Sequence, residues 1–161
     1  GVINERLMGD YVKSTKEFKF IWGSKKAIAH FSDIFSHIFV ITNQQGIAKG
    51  VMSERNLLDI HRYMMKEVIN AKGKIEKCYF APEMKDSPIQ LRKPAIGMGL
   101  LAQKDYPSVV FKKSIMIGDT DSDIQFGKNL GMKTIRVKTS EPIGIEADLT
   151  IKRLHDLIKL W

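Results

Sequence analysis

Three observations predict an α/β fold with a parallel, helix-covered sheet for this chain of 161 residues. Short apolar runs rich in β-branched and aromatic residues recur, HIFVIT at 37–42 and SIMIG at 114–118 among them, and such runs suit strands buried on both faces. Segments with helical periodicity separate these runs, which is the pattern of βαβ units. Polar residues follow the runs directly, and the carboxyl ends of parallel strands are where such sheets bind ligands.

The elements follow in order. Residues 24–36 place Ala27, Ile28, Phe31, Ile34 and Phe35 on one helical face, with Ser24 as the expected N-cap. The strand at 37–42 leads into the loop NQQGIAKG. Ser53 then opens a helix carrying Leu57, His61, Met64, Met65, Val68 and Ile69, and Gly73 is positioned to end it. A strand near 75–80 (IEKCYF), a long loop and a helix at 95–104 behind Pro94 come next. SIMIG leads through DTDSD into a helix at 122–130 closed by Gly131. A strand at 133–138, a short strand near 147–151 and a terminal helix at 153–160 complete the chain. The first twenty residues hold little periodicity, and Gly1-Val2-Ile3-Asn4 reads like the exit of a strand. A doubly wound domain that opens on a loop is expected to have its first strand outside the 161 residues.

Composition bounds the function. With 43% hydrophobic residues the chain can bury a core, and its length suits a single domain over 1–161. No apolar run approaches the roughly 20 residues of a membrane span, and no segment reads as a signal peptide. A single cysteine, Cys78, excludes an internal disulfide framework and a multi-thiolate zinc site, so a reducing cytoplasm is expected. The net charge of +8 favours an anionic partner. The basic residues are dispersed and do not alternate with aromatics, which argues against a nucleic-acid groove. The four histidines lack HExxH-like spacing, and no serine-triad motif occurs.

Three places carry candidate chemistry. Thr42-Asn43-Gln44-Gln45-Gly46 sets a hydroxyl and free backbone N–H groups at a strand end, a compact anion cradle that could equally be an ordinary turn. Arg92-Lys93-Pro94 puts two cations before a helix N-terminus, where backbone donors already favour an anion, although a solvated basic pair has the same sequence. Asp119-Thr120-Asp121-Ser122-Asp123 packs three carboxylates into five residues. Their repulsion calls for a cation or several donors, and Mg²⁺ on Asp119 fits. Asp121 or Ser122 can serve as an N-cap and Asp123 as a dipole partner. Together, a hydroxyl, an ammonium and a magnesium-type carboxylate are equipment for a phosphate dianion.

At GVIN (1–4), GDYV (9–12), FVITNQQGIAKG (39–50), RKP (92–94) and IGDTDSDI (117–124), the chain resembles the haloacid dehalogenase superfamily of phosphatases. Within it, the resemblance is to the subgroup of heptose-bisphosphate 7-phosphatases and histidinol-phosphate phosphatase domains. The resemblance implies a capless, Rossmann-like three-layer domain acting as a Mg²⁺-dependent phosphomonoester hydrolase on a small sugar phosphate, monomeric and without a membrane. It implies that Thr42 and the Asn43 backbone bind the transferring phosphoryl group, that Gln44 and Gln45 line the site, and that Lys93 neutralises charge. Arg92, Thr120 and the Asp10–Tyr11 loop would face substrate, and Asp119, supported by Asp123, would hold Mg²⁺.

Two departures stand out. The family's DxDGxxN motif is represented only from its glycine, Gly1, so the nucleophilic aspartate and the acid/base aspartate are expected immediately upstream. Where relatives carry a Cys-x-His and Cys-x-Cys zinc loop, this chain reads Ala81-Pro82-Glu83 and Ile89-Gln90-Leu91, so no zinc is expected. Competing readings are a histidinol-phosphate or polynucleotide 3′-phosphatase, a non-catalytic module if the protein begins at Gly1, and a receiver-like domain, for which no acidic pair near a first strand is found.

Overall fold

Alternation along the strands decides the layering. The computed structural model describes residues 1–161. It contains β1 (Phe39–Asn43), β2 (Lys77–Ala81), β3 (Ile115–Gly118), β4 (Lys133–Val137) and β5 (Leu149–Ile151). The helices are α1 (Ser24–Ser32), α2 (Glu54–Asn70), α3 (Gly97–Asp105) and α4 (Asp121–Asn129). Val40, Cys78 and Phe80 join the larger core with Leu57, Ile60, Met64 and Val68 of α2. Phe39, Ile41, Tyr79 and Ala81 alternate with them and meet Met98 and Ala102 of α3 on the opposite face. A period of two therefore separates two helical layers around the strands.

All strand pairs are parallel, β1 with β2, β3 with β4 and β4 with β5, in agreement with the α/β expectation. The sheet, however, is in two pieces, β1-β2 and β3-β4-β5. The inner edges of β1 and β3 both border a cavity of 1120 Å³ whose walls include Val40, Ile41, Ile115 and Ile117. Unpaired parallel edges on an apolar slot are the geometry one further strand would fill.

Several local expectations need correction. Gly23, with a positive φ of 79°, is the N-cap of α1, and Ser24 is already helical and fully buried. The left-handed residue after α2 is Lys72 (φ 66°), while Gly73 donates its N–H to Val68. The C-terminal segment forms a 3-10 helix at Leu154–Lys159. Ser53 does cap α2, in a reciprocal box with Asn56. At the start of α4 the cap is Thr120, not Asp121 or Ser122, because Thr120 is the last residue with extended backbone, and its hydroxyl accepts from Asp123 N.

His61 sits on the buried face of α2 beside Phe80, and burial lowers its pKa to about 4. The unfolded chain then takes up a proton that the folded protein refuses. This contribution to stability is complete above about pH 6.5 and is lost as pH falls toward 4, by up to ~3 kcal/mol. His61→Leu is expected to flatten the melting-temperature profile between pH 4.5 and 6.5. Parallel profiles for the two proteins would show that another group controls acid stability.

Candidate functional site

Lys93 links β1 to the first turn of α4. Its ammonium donates to the Ile41 carbonyl of β1 at 2.6 Å and contacts Asp123 Oδ1 of α4 at 2.6 Å. The side chain is 8% exposed, so both contacts act in a low-dielectric setting. Asn43 fixes the backbone around it: the side-chain amide donates to Lys93 O at 3.2 Å, and its oxygen accepts from Lys93 N at 2.9 Å. The Asn43 side chain thus anchors the lysine. Its neighbour Thr42 turns its hydroxyl to the rim, where it accepts from Gln44 Nε2 at 3.0 Å.

The turn after β3 sorts its three carboxylates. Asp123 Oδ2 accepts from the backbone N–H groups of Asp119 (3.1 Å) and Thr120 (3.0 Å) and from the Thr120 hydroxyl (2.8 Å). Burial acts to raise the Asp123 pKa, but the Lys93 ammonium and the Thr120 bonds outweigh it and hold the carboxyl below the usual range. Both Asp123 oxygens are taken up by the protein. Gly118 permits this approach, since a Cβ there would lie 2.1 Å from the Asp123 Cβ. Thr120 faces inward, engaged with Asp123 and Ser122.

Asp121 points the other way. It accepts from Gly144 N (2.9 Å), Ile145 N (3.1 Å) and an Arg136 nitrogen (2.6 Å). Burial opposes ionisation there too, and these donors overcome it.

Asp119 differs from both. Its carboxylate, at the end of β3, meets only the Arg6 guanidinium, at 3.1 Å, and Arg6 also contacts Glu141 at 2.8 Å. Gly1 packs so closely that a Cβ would sit 2.0 Å from Asp119 Oδ2. A nearly buried carboxylate met by a cation, and by no backbone donor, fits a hard metal ion such as Mg²⁺. No group of three or more His, Cys, Asp or Glu side chains forms a metal cage. That is compatible with Mg²⁺, which takes one or two carboxylates and completes its shell with water and phosphate oxygens.

Around these groups lies the rest of the expected set. Thr42, Asn43, Gln44, Gln45, Arg92, Lys93, Asp119, Thr120, Asp123, Asp10 and Tyr11 all border the 1120 Å³ cavity. Tyr11 lies against Gly46, with the Lys49 ammonium 5.6 Å from its ring centre. Burial raises the Tyr11 pKa, and bonds from Lys49 and Gln45 with the Arg92 charge more than reverse it, which marks a positive local field. Asp10 is largely turned away, held by Lys13 and by Tyr11 N. One terminal Arg92 nitrogen is buried without a partner, and Arg92 N donates to the buried Glu83 at 2.8 Å.

Sequence reasoning missed Arg6, Glu83, Arg136 and Glu141. Only Arg136 left a signal, a charge inside the strand KTIRVK.

The chain is similar to known proteins in sequence and in fold. The family model described as HAD-hydrolase-like matches residues 90–150. A D-glycero-alpha-D-manno-heptose-1,7-bisphosphate 7-phosphatase of Campylobacter jejuni is 36% identical over 161 residues, covering 100% of this chain and 91% of its own. The enzyme of that name from Mycobacterium tuberculosis is 30% identical over 130 residues, 81% of this chain and 68% of its own. The crystal structure of D,D-heptose 1.7-bisphosphate phosphatase from B. bronchiseptica, complexed with magnesium and phosphate, superposes with a TM-score of 0.86 at 24% identity. It covers 99% of this chain and 92% of that one.

Proposed function

Because the chain belongs to the haloacid dehalogenase-like hydrolases, we propose that it removes the 7-phosphate of D-glycero-D-manno-heptose 1,7-bisphosphate with Mg²⁺ as cofactor. The observation that carries this reading is the double contact of Lys93 Nζ, 2.6 Å from Ile41 O and 2.6 Å from Asp123 Oδ1. Lys93 thereby joins the strand that carries Thr42 to the helix that follows Asp119, and in this reading a phosphoryl group is held between those two segments.

In this reading Thr42 and the backbone N–H groups after β1 orient the phosphoryl oxygens. Lys93 cancels the repulsion between an attacking carboxylate and a phosphate monoester, and stabilises charge on the equatorial oxygens as the bond to the sugar breaks. Asp119 holds Mg²⁺, which supplies further charge neutralisation when bound. Asp123 keeps Lys93 aimed and the 119–120 turn closed. Arg92 and Lys49, the latter beside Tyr11, give the recess the positive field that a second phosphate on the sugar would need. The slot between β1 and β3 opens onto the same rim.

Phosphate release by the protein tests the reading, with the heptose bisphosphate, histidinol phosphate and a 3′-phosphorylated oligonucleotide side by side. The bisphosphate is expected to be consumed fastest, with activity lost on chelation and restored by Mg²⁺. Faster turnover of either competitor would overturn the substrate assignment.

A further inference from the structure

A buried cation lies directly behind the metal-type carboxylate. Arg136 stands in β4 opposite Gly118 of β3 and is 1% exposed. The other buried residues of β4, Thr134, Ile135 and Val137, are small or apolar, so an arginine here is an expensive choice. Its Nε has no partner at all. An apolar side chain of similar volume would fill the space without that penalty. What the guanidinium adds is connection. One terminal nitrogen donates to the Asp119 carbonyl at 3.1 Å, and the other reaches Asp121 Oδ1 at 2.6 Å and the Ile145 carbonyl at 2.8 Å.

Those bonds tie three segments into a ring. Asp121 in turn accepts the N–H groups of Gly144 and Ile145. The loop leading to them carries Glu141, which holds Arg6, and Arg6 reaches Asp119 Oδ2. The residue proposed to hold Mg²⁺ is thus gripped at its carbonyl from behind and through its carboxylate from in front. A carboxylate that must meet a metal within a few tenths of an ångström needs its peptide fixed in this way.

We propose that Arg136 is a positioning residue for the cation site: by clamping the Asp119 carbonyl, Asp121 and the 144–145 loop together, it sets the direction of the Asp119 carboxylate. This rests on the reading of Asp119 as the Mg²⁺ ligand. Mg²⁺ affinity, measured by titration calorimetry without substrate, is paired with amide exchange at Gly144 and Ile145. Arg136→Met is expected to weaken Mg²⁺ binding about tenfold or more and to speed exchange at those two amides, leaving β1 protected. Arg136→Lys keeps a charge near Asp121 but lacks the fork that spans both carbonyls, and is expected to recover only part of the affinity. A folded Arg136→Met protein with wild-type Mg²⁺ affinity overturns the proposal. If that variant does not fold, Asp121→Asn decides: loosened Gly144 and Ile145 with undiminished Mg²⁺ affinity overturns it equally. Should the wild type bind no Mg²⁺, the cation reading itself fails. Arg136 is then judged by exchange alone, and unchanged protection at Gly144 and Ile145 in Arg136→Met rejects the clamp.

Discussion

Replacing Lys93 with methionine is expected to lower turnover of a phosphomonoester by about 100-fold or more. Methionine keeps most of the length and the apolar stem, so the loss isolates the ammonium. That group has little water around it, so solvent screens it weakly, and Asp123 offsets only part of what an anion at the rim would feel. A dianionic ester approaching a carboxylate meets strong repulsion, and charge on the equatorial oxygens persists through the transition state, so the effect falls on kcat and not only on KM. Stability falls too, since Asp123 keeps its Thr120 bonds but loses its charge partner. Breaking such a buried pair typically costs about 3–5 kcal/mol. Rates are therefore compared per folded molecule, with circular dichroism as the control. Wild-type turnover in the folded variant would remove Lys93 from the chemistry.

Asp119→Asn is expected to abolish the response to Mg²⁺ along with activity. The amide matches the carboxylate in shape and accepts one hydrogen bond, but a neutral oxygen binds a hard dication far more weakly than a charged one. The fold should tolerate the change. Asp119 receives no backbone bond through its side chain, and Arg6 retains Glu141. A magnesium titration of initial rate is the direct measurement: the wild type should saturate, whereas the variant should stay flat near the no-enzyme baseline. An unaltered titration curve would reject Asp119 as the metal ligand.

How much of this was legible beforehand follows from how local each cause is. HIFVIT and SIMIG could be read as strands because burial on both faces leaves an unbroken apolar run. The candidate residues at 42–45, 92–93 and 119–123 could be collected because parallel strands deliver their carboxyl ends to one edge, and they do border one cavity. Helix caps were less legible: Ser24, Asp121 and Ser122 are all good caps by type, and the backbone passed that role to Gly23 and Thr120. The division of labour among Asp119, Asp121 and Asp123 was not legible at all. Three aspartates in five residues look alike until Lys93, Arg136 and the 144–145 loop arrive from distant parts of the chain. Arg6 and Glu141 belong to the same class, as a pair brought together across 135 positions that no periodicity announces.

The lysine that bridges β1 and α4 has a mechanical meaning as well. Through the Ile41 carbonyl and the Asp123 carboxylate it fastens the segment that ends in Thr42 to the helix that follows the Asp119 turn. A dianion gripped by Thr42 on one bank and by the Asp119 turn on the other would act as a second staple beside it. Ligand affinity and local rigidity would then draw on the same free energy, and whatever loosens that junction would weaken the grip on phosphate.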